Sequence, residues 1–297
     1  MEIELKNSKI INHGYAFFSI LIWGVTFIST KYLLNSFSPL DILLFRYAIA
    51  YVALWAISPK PLLWQGWKKE AYLFAASVSG ASLYQFLENL SVGYTSPASV
   101  SFITALAPVA TAVVAHFALG EPLYKSLFVG MGISLVGVFF ISFGDAGSFE
   151  TGLLGDTIVL GSTLLWAVYS VIIKRVAAFE IDEYQVTRRI FLYTLLTLIP
   201  FAVPNIKNLD LSAAVQPLNA LNLLFLGVFA SALCFRTWNH SVDTLGATTT
   251  SKYLFVMPVI TLVAQVIYEK SGVGLYAGVG MVLILAGLFV SNLKKEK

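Results

Sequence analysis

Residues 89–113, NLSVGYTSPASVSFITALAPVATAV, and residues 239–263, NHSVDTLGATTTSKYLFVMPVITLV, are two versions of one sequence pattern. An ungapped offset of 150 residues aligns Asn89 with Asn239, Ser91 with Ser241, Val92 with Val242, Ser101 with Ser251, Pro108 with Pro258, Val109 with Val259, Thr111 with Thr261 and Val113 with Val263. Apolar matches arise by chance in any hydrophobic chain, whereas matched asparagines and prolines in one register rarely do. The pattern therefore indicates an internal duplication.

The duplication extends beyond these stretches on both sides. The same offset aligns Gly130 with Gly280, Met131 with Met281 and Gly137 with Gly287, and an offset of 143 aligns Trp23 with Trp166, Val25 with Val168, Lys31 with Lys174 and Arg46 with Arg189. We therefore divide the chain into an N-terminal tail 1–14, a first repeat 15–143, a connecting loop 144–155, a second repeat 156–293 and a C-terminal tail 294–297.

The composition places both repeats in a membrane. Of the 297 residues, 58% are hydrophobic and only 12% are charged, about half the ~25% that is usual in soluble proteins. So few charges cannot cover the surface of a soluble fold of this size. The net charge of +3 comes with no basic patch for nucleic acid, and Cys234 as the single cysteine excludes a disulfide scaffold.

Ten segments are long and apolar enough to span a bilayer as helices, since ~20 residues rising ~1.5 Å each cross the ~30 Å hydrocarbon core. They are 15–34, 38–58, 71–94, 97–119, 123–143, 156–177, 183–204, 219–240, 245–268 and 272–293. The first is too long for a cleavable signal and is expected to remain as a helix. Lys and Arg are concentrated in the tails and loops that lie on one side of the membrane. Because positive residues favour the cytoplasmic side, both termini are expected in the cytoplasm. The predicted fold is an all-α polytopic membrane protein.

Each repeat holds five predicted helices, and five is an odd number. The second repeat therefore enters the membrane upside down relative to the first. Such inverted repeats recur in secondary transporters, where a site between the halves opens to alternate sides. A non-transporting membrane subunit is the alternative. An intramembrane enzyme is disfavoured, because no activated nucleophile or paired catalytic aspartates are evident.

The residues of the duplication resemble the drug/metabolite transporter superfamily, specifically its EamA-type ten-helix members. The likeness covers roughly residues 15–293 and rests on Trp23-Gly24, Arg46 after Pro39, Asn89, Tyr94-Thr95-Ser96-Pro97-Ala98, Pro108 and Leu119-Gly120-Glu121-Pro122. The second repeat departs from it at Ala167, Thr248 and Glu269. The resemblance implies a central cavity formed by the first four helices of each half, with the fifth and tenth at the periphery. It also implies transport of amino acids or other small metabolites, and aromatic amino-acid exporters are the first comparison.

Ionisable residues inside predicted helices are the first candidates for a site, because such residues are costly in a membrane and usually functional. Lys252 lies about two turns into the ninth helix, and its repeat partner is the apolar Phe102. Both follow the matched serines, Ser101 and Ser251. A desolvated ammonium binds a carboxylate strongly, so Lys252 is a candidate anion anchor. A structural ion pair and snorkelling to the interface are the alternatives.

Glu88 is the single carboxylate in this group of helix residues. It is a candidate for carrying a coupling proton or holding a substrate amine, and an ion pair or an exposed vestibule position is the alternative. The matched Arg46 and Arg189 are expected to be scaffold residues that bond helix carbonyls. The matched Pro108 and Pro258 are expected to kink their helices, either as part of a gate or as a fixed bend.

Aromatic residues on the helices expected to line the cavity are the remaining candidates. They can stack on a flat substrate or bind a cation, although most aromatics in membrane proteins simply pack. The set is Trp23, Tyr84, Phe102, Trp166, Tyr169, Trp238 and Tyr253. The glycines of the fifth and tenth helices are expected to serve close helix packing, with a dimer face as the alternative.

These observations predict a secondary active transporter, more commonly an exporter, of small organic metabolites. Amino acids are the preferred substrates, because helix cations outnumber the helix carboxylate. A larger flat solute such as a nucleoside, a vitamin or S-adenosylmethionine is the alternative. No cofactor or metal is expected, since the chain lacks a P-loop and its three histidines lie far apart. The expected partners are the substrate, the lipid bilayer and a coupling proton, in a monomer or homodimer of the bacterial inner membrane.

Overall fold

The computed structural model describes residues 2–95, 97–143, 152–204, 211–269 and 274–293. Throughout these ranges the regular structure is helical, and no strand occurs in them. The predicted C-terminal tail 294–297 and most of the predicted connecting loop 144–155 lie outside the described residues. The all-helical fold class is confirmed for the part of the chain that the structure describes.

The helices follow one another in chain order. In the first half they are α1 (Glu2–Leu33), α2 (Pro39–Ile57), α3 (Trp67–Ser77), a π segment (Val78–Ser82), α4 (Leu83–Val92), α5 (Pro97–Thr104), α6 (Ala107–Leu119) and α7 (Lys125–Phe143). In the second half they are α8 (Leu153–Ala177), α9 (Glu183–Ala202), α10 (Leu211–Ala214), α11 (Pro217–Leu224), a π segment (Phe225–Leu233), α12 (Cys234–Leu245), α13 (Ala247–Ser251), a 3₁₀ segment (Lys252–Val256), α14 (Met257–Glu269) and α15 (Leu275–Asn292).

Six described helices are long and apolar enough to cross a membrane: Ile10–Leu33, Pro39–Ile57, Val100–Leu119, Leu153–Ala177, Pro217–Leu245 and Ala247–Tyr268. The fifth and tenth predicted spans correspond to shorter apolar helices, Lys125–Phe140 and Leu275–Ser291. The third and seventh predicted spans are also helical, but polar residues such as Glu88 and Arg188 lower their hydropathy. The chain is thus a multi-pass membrane protein. The count of ten spans and the cytoplasmic location of both termini stay predictions.

The two halves carry the same irregularity in their third and eighth helices. The π segments Val78–Ser82 and Phe225–Leu233 overlap at the repeat offset. A π turn inserts one residue into the helical repeat, and such insertions are frequent at functional sites. The duplication seen in the sequence is therefore accompanied by a matched irregularity of the backbone.

The fourth and ninth helices are also interrupted at matched places. The first half breaks between α5 and α6, just before Pro108, and the second half passes through the 3₁₀ segment just before Pro258. Proline lacks the N–H that would continue the preceding helix and favours such a break. Each half therefore has an interrupted helix at this position.

Helices α7 and α15 pack directly on each other at the edge of the bundle. A Cβ added to Gly137 would lie 2.6 Å from the carbonyl oxygen of Gly280, and one added to Gly130 would meet the backbone of Gly287. These glycines therefore serve the close packing that the sequence predicts. Gly132 and Gly278 have open space at their Cβ positions, so they are not part of this contact.

A carboxylate of the first half caps a helix of the second half. The two oxygens of Glu121 accept hydrogen bonds of 2.9 Å each from the backbone N–H groups of Ala247 and Thr248, at the start of α13. The N-terminal N–H groups of a helix have no partner within it, and they attract an anion. Gly246 provides the turn before α13 with a left-handed φ of 90°.

Candidate functional site

A cavity lies between the two halves, near the middle of the bundle. It is lined by Trp23, Thr26, Phe27, Arg46, Tyr84, Gln85, Glu88, Trp166, Phe235, Leu254 and Met257. The space between these side chains totals about 340 Å³, but the part wide enough for the centre of a water molecule is only about 20 Å³. A small organic solute therefore requires movement of the lining residues in order to enter.

Aromatic rings from both halves form one wall of this cavity. The Trp23 ring lies edge-on to the Trp166 ring, with 5.3 Å between centroids, and the Tyr84 ring lies 4.9 Å from Trp166. Behind them, the buried Trp238 ring packs 5.1 Å from Trp23. Aromatic faces and edges of this kind can stack on a flat group or hold a cation.

Two residues of opposite charge line the same cavity. Arg46 on α2 is 2% exposed and Glu88 on α4 is 6% exposed, and the arginine charge acts on the carboxylate. These two described side chains nevertheless form no ion pair within 4.0 Å. Gln85 donates a hydrogen bond of 3.2 Å to Glu88. Two buried charges separated in this way can each bind a group of a zwitterion between them.

The cavity wall is attached to the π segment of the second half. The Trp23 indole N–H donates to the Ala230 carbonyl at 2.8 Å, and Arg46 Nε donates to the Ser231 hydroxyl at 2.5 Å. Ser231 in turn donates to the Leu226 carbonyl at 2.8 Å. These bonds hold two cavity residues of the first half in position against the eighth helix.

Of the residues predicted to bind substrate, the structure places four in the cavity lining: Trp23, Tyr84, Glu88 and Trp166. Tyr169 and Trp238 are fully buried beside them, in ring contact with Trp166. Arg46, predicted as scaffold, both lines the cavity and bonds Ser231.

The other predicted site residues lie elsewhere. The Lys252 ammonium is buried and donates to the Ser291 carbonyl at 3.2 Å, in the last turn of α15. Phe102 packs against Phe139 of α7, and Ser251 donates to the Thr248 carbonyl. Ser101 is buried on α5, outside the cavity lining.

The matched Arg189 lies in the second turn of α9, outside the lining of the central cavity. It donates to the carbonyls of Leu62 and Leu63 and lies 3.6 Å from the Glu70 carboxylate. Arg189 thus bonds backbone carbonyls of the segment before α3, and its scaffold role stays a prediction. Arg46 and Arg189 therefore occupy matched positions in the sequence but contact different kinds of partner.

Several lining residues are ones that sequence reasoning did not identify: Thr26, Phe27, Phe235, Leu254 and Met257. Thr26 and Phe27 follow Trp23 by three and four residues, and this spacing places side chains on one face of a helix. Thr26 and Phe27 could therefore have been predicted as lining residues from the position of Trp23. Phe235 and Met257 come shortly after irregular segments and Leu254 lies within one, so helical spacing from a known residue is lost.

Metal binding has no support in the described residues. No group of three or more His, Cys, Asp or Glu side chains among them is arranged to hold a metal ion. The residues that line the cavity offer charge, hydrogen bonding and aromatic contact.

Comparison with known proteins identifies the fold and the family. A crystal structure superposes with a TM-score of 0.75, covering 95% of this chain and 98% of the other at 20% identity, which shows the fold. An uncharacterized transporter of Archaeoglobus fulgidus is 26% identical over 275 residues, 92% of this chain and 95% of its own. A probable terminal-alkyne amino-acid exporter of Streptantibioticus cattleyicolor is 24% identical over 281 residues, 92% of this chain and 91% of its own.

The model of the EamA-like transporter family matches twice, at residues 11–143 and again at residues 153–293. The two matches together span most of the chain, and the similar proteins over comparable lengths are named as transporters. The chain belongs to the EamA-like transporter family.

Proposed function

We propose that this transporter moves amino acids or similar zwitterions through the central cavity, as a secondary active carrier that works by alternating access. The observation that carries the proposal is the pair of buried charges, Arg46 and Glu88, on the wall of one cavity without a direct ion pair between them. Burying two such charges is costly unless each gains a partner. A zwitterion supplies both partners at once.

In the proposed complex the substrate carboxylate binds Arg46 and the substrate ammonium binds Glu88. The arginine fork suits a carboxylate, and Arg46 is held in position by Ser231. Trp23, Tyr84 and Trp166 then contact the rest of the substrate. We assign the anion-binding role to Arg46 rather than to Lys252, because the Lys252 ammonium is directed to the end of α15.

Glu88 is also the proposed site of a coupling proton. It is the carboxylate among the cavity-lining residues, and its protonation would remove the charge that holds a substrate ammonium. Proton binding and substrate binding at Glu88 would then exclude each other. Such competition is a simple way to couple solute movement to a proton gradient.

The proposed alternation uses the inverted halves. Trp23 and Trp166, matched in the repeats, meet in the centre of the bundle, so rocking of one half against the other would open the cavity to either side. We place both termini in the cytoplasm, from the distribution of Lys and Arg, and we keep a bacterial inner membrane as the proposed location. Export is the proposed direction, as the name of the Streptantibioticus relative indicates for that protein.

A carrier of a larger flat solute is the second candidate, because the cavity wall is rich in aromatic rings. The test for both candidates is counterflow in proteoliposomes that contain only this protein. Vesicles are preloaded with an amino-acid mixture, or with nucleosides and vitamins, and entry of each labelled compound is followed. Accelerated entry of an amino acid supports the proposal. Entry of flat solutes alone overturns the zwitterion assignment, and no entry in either panel with folded protein supports a non-transporting subunit.

A further inference from the structure

The segment between α2 and α3, residues 58–66, presents large apolar side chains at the surface of the molecule. Leu63 is 76% exposed, Trp64 is 54% exposed, and Trp67, the first residue of α3, is 83% exposed. The two tryptophan rings lie edge to face, with 5.0 Å between their centroids. An exposed apolar patch of this kind marks a contact with a partner or with a membrane.

Three lysines flank these apolar side chains. Lys60 and Lys68 are exposed, and Lys69 is partly buried. Among the described residues, no ion pair within 4.0 Å involves any of the three. Glu70, the next residue along the chain, is buried and lies 3.6 Å from Arg189. Its carboxylate is therefore engaged elsewhere, and the exposed charge of the segment is positive.

Two arginines of α9 hold the backbone of the segment. Arg188 donates to the carbonyls of Ser58 and Lys60. Arg189 donates to the carbonyls of residues 62 and 63. Carbonyls that have no partner in a helix or strand are thus satisfied by side chains. The exposed lysine and apolar side chains are therefore presented by a supported backbone.

The turn from the segment into α3 is supported as well. Gly66 adopts a left-handed φ of 88°, and the Gln65 N–H donates to the Glu70 carboxylate at 3.1 Å. The Tyr193 hydroxyl of α9 donates to the other oxygen of Glu70 at 2.5 Å. Trp64 and Trp67 thus lie on either side of a turn that is bonded to α9.

The segment lies at the border of the hydrocarbon layer. It follows directly after the candidate membrane span Pro39–Ile57. The 19 residues of this span, rising ~1.5 Å each, approach the ~30 Å thickness of the layer. Tryptophan is enriched at the level of the lipid headgroups, because its ring is apolar and its N–H is polar. The apolar patch is therefore placed where lipid is its neighbour.

The combination of charges and apolar side chains selects the kind of lipid. An anionic phospholipid offers a negative headgroup to the lysines and acyl chains to Leu63 and the tryptophans. A zwitterionic phospholipid offers the same acyl chains without the net charge. An acidic protein would pair with the lysines, but it would have to displace lipid from the apolar side chains.

We propose that the exposed residues of this segment form a binding surface for anionic phospholipids. This lipid surface consists of Lys60, Leu63, Trp64, Trp67 and Lys68. The arginines that hold it belong to the second half of the chain, whereas the segment belongs to the first. A lipid bound there would therefore act on a contact between the two halves. The inference does not depend on which substrate is moved.

The test measures lipid selectivity beside the segment in the full-length protein, reconstituted in vesicles at low salt. Gln65→Cys carries a fluorophore between the two tryptophans, and Asn35→Cys, exposed in the turn before the other end of α2, carries it in the control. Cys234 is fully buried, so wild-type protein gives the labelling background. Quenching is compared for phosphatidylglycerol and phosphatidylcholine that carry the same nitroxide near the headgroup end of one acyl chain.

We expect phosphatidylglycerol to be preferred at least about tenfold at position 65, and not at position 35. Combined Lys60→Gln and Lys68→Gln should reduce the preference to less than about twofold, because both headgroup partners are lost. Lys125→Gln is the matched control, since Lys125 is exposed and lies outside the lipid surface, and it should change nothing. High salt should also reduce the preference. All lysine variants should keep the unfolding midpoint of the wild type, which checks that they fold.

The contrary outcomes are distinct. Equal quenching by the two lipids at position 65 overturns the proposal and favours an acidic protein as the partner of the lysines. A preference that survives the double lysine substitution, or that is the same at positions 65 and 35, overturns it as well, because the whole protein would then attract the lipid. A lysine-dependent preference in a protein that fails every counterflow assay supports the lipid surface and overturns only the proposed transport function.

Discussion

The Tyr169 hydroxyl donates a hydrogen bond of 2.7 Å to Asn239 Oδ1, and this bond joins α8 to α12 beside the central cavity. Tyr169 is fully buried and in ring contact with Trp166, which lines the central cavity. Asn239 lies on α12, four residues after Phe235, which also lines the central cavity. The bond therefore holds a ring that supports the cavity wall against α12.

Tyr169→Phe is expected to ease opening of the central cavity. It removes one hydrogen bond and retains the ring, and a neutral hydrogen bond contributes about 1 kcal/mol, about a fivefold change in an equilibrium. A Phe235→Cys reporter in the central cavity should therefore react about fivefold faster with a thiol reagent when Tyr169→Phe is added. An unchanged reaction rate would show that the bond does not limit access. Tyr253→Phe is the control, because Tyr253 does not line the central cavity.

Lys252→Gln is expected to reduce stability while leaving substrate affinity nearly unchanged. The Lys252 ammonium donates to the Ser291 carbonyl near the C-terminal end of α15, where a cation is favoured by the helix dipole. Its loss should lower the midpoint of thermal unfolding in detergent, whereas the KM of counterflow should change by less than about threefold. An increase in KM of about 100-fold, with an unchanged unfolding midpoint, would instead return the anion-anchor role to Lys252.

Gly137→Ala and Gly132→Ala form a matched pair on one helix. The added methyl group at position 137 would lie 2.6 Å from the Gly280 carbonyl, whereas position 132 has open space. Gly137→Ala should cost about 1–3 kcal/mol through overpacking of α7 against α15. Gly132→Ala should raise stability by up to about 1 kcal/mol through helix propensity. Thermal unfolding of the two variants checks the difference, and equal midpoints would contradict the packing described for α7 and α15.

Glu121→Ala is expected to destabilise the start of the ninth helix. Both carboxylate oxygens of Glu121 accept backbone N–H groups at Ala247 and Thr248, and loss of a helix cap costs about 0.5–2 kcal/mol. Glu121→Gln retains one acceptor oxygen, so it should be less destabilising. The midpoints of thermal unfolding check this: the wild type should have the highest, Glu121→Gln an intermediate one and Glu121→Ala the lowest. The reverse order of the two variants would show that the carboxylate has another role.

The sequence was sufficient to predict the helical membrane fold, because apolar composition and segment length determine which segments can lie in lipid. Matched Trp, Asn and Pro residues also revealed the duplication. The helix breaks before Pro108 and Pro258 are local effects of an imino acid, whereas a kink or gating role for these prolines stays a prediction. The two π segments were not foreseen, because a one-residue insertion in a helix leaves no distinctive residue pattern.

The cavity was only partly predictable from the sequence. Trp23, Tyr84, Glu88 and Trp166 were candidates for it and do line it. Lys252 was the leading candidate, but its ammonium donates to the Ser291 carbonyl of α15, a contact between distant parts of the chain that the sequence does not reveal. Asn239 was predicted only as a neutral polar partner of the charged helix residues, and its hydrogen bond with Tyr169 became visible only when its neighbours in space were known.

The measurement that tests the central claim most directly is binding of one amino acid and its two truncated analogues to wild type, Arg46→Gln and Glu88→Gln. The amino acid is the one that counterflow identifies, and the analogues lack either the carboxylate or the ammonium. We expect Arg46→Gln to abolish the advantage of the intact amino acid over the amine, and Glu88→Gln to abolish its advantage over the carboxylate. Each loss should be about 100-fold in Kd, since charged hydrogen bonds are worth about 1.5–3 kcal/mol. Equal weakening of all three compounds by both substitutions would contradict the account, because it would show that these residues support the fold and do not bind the substrate charges.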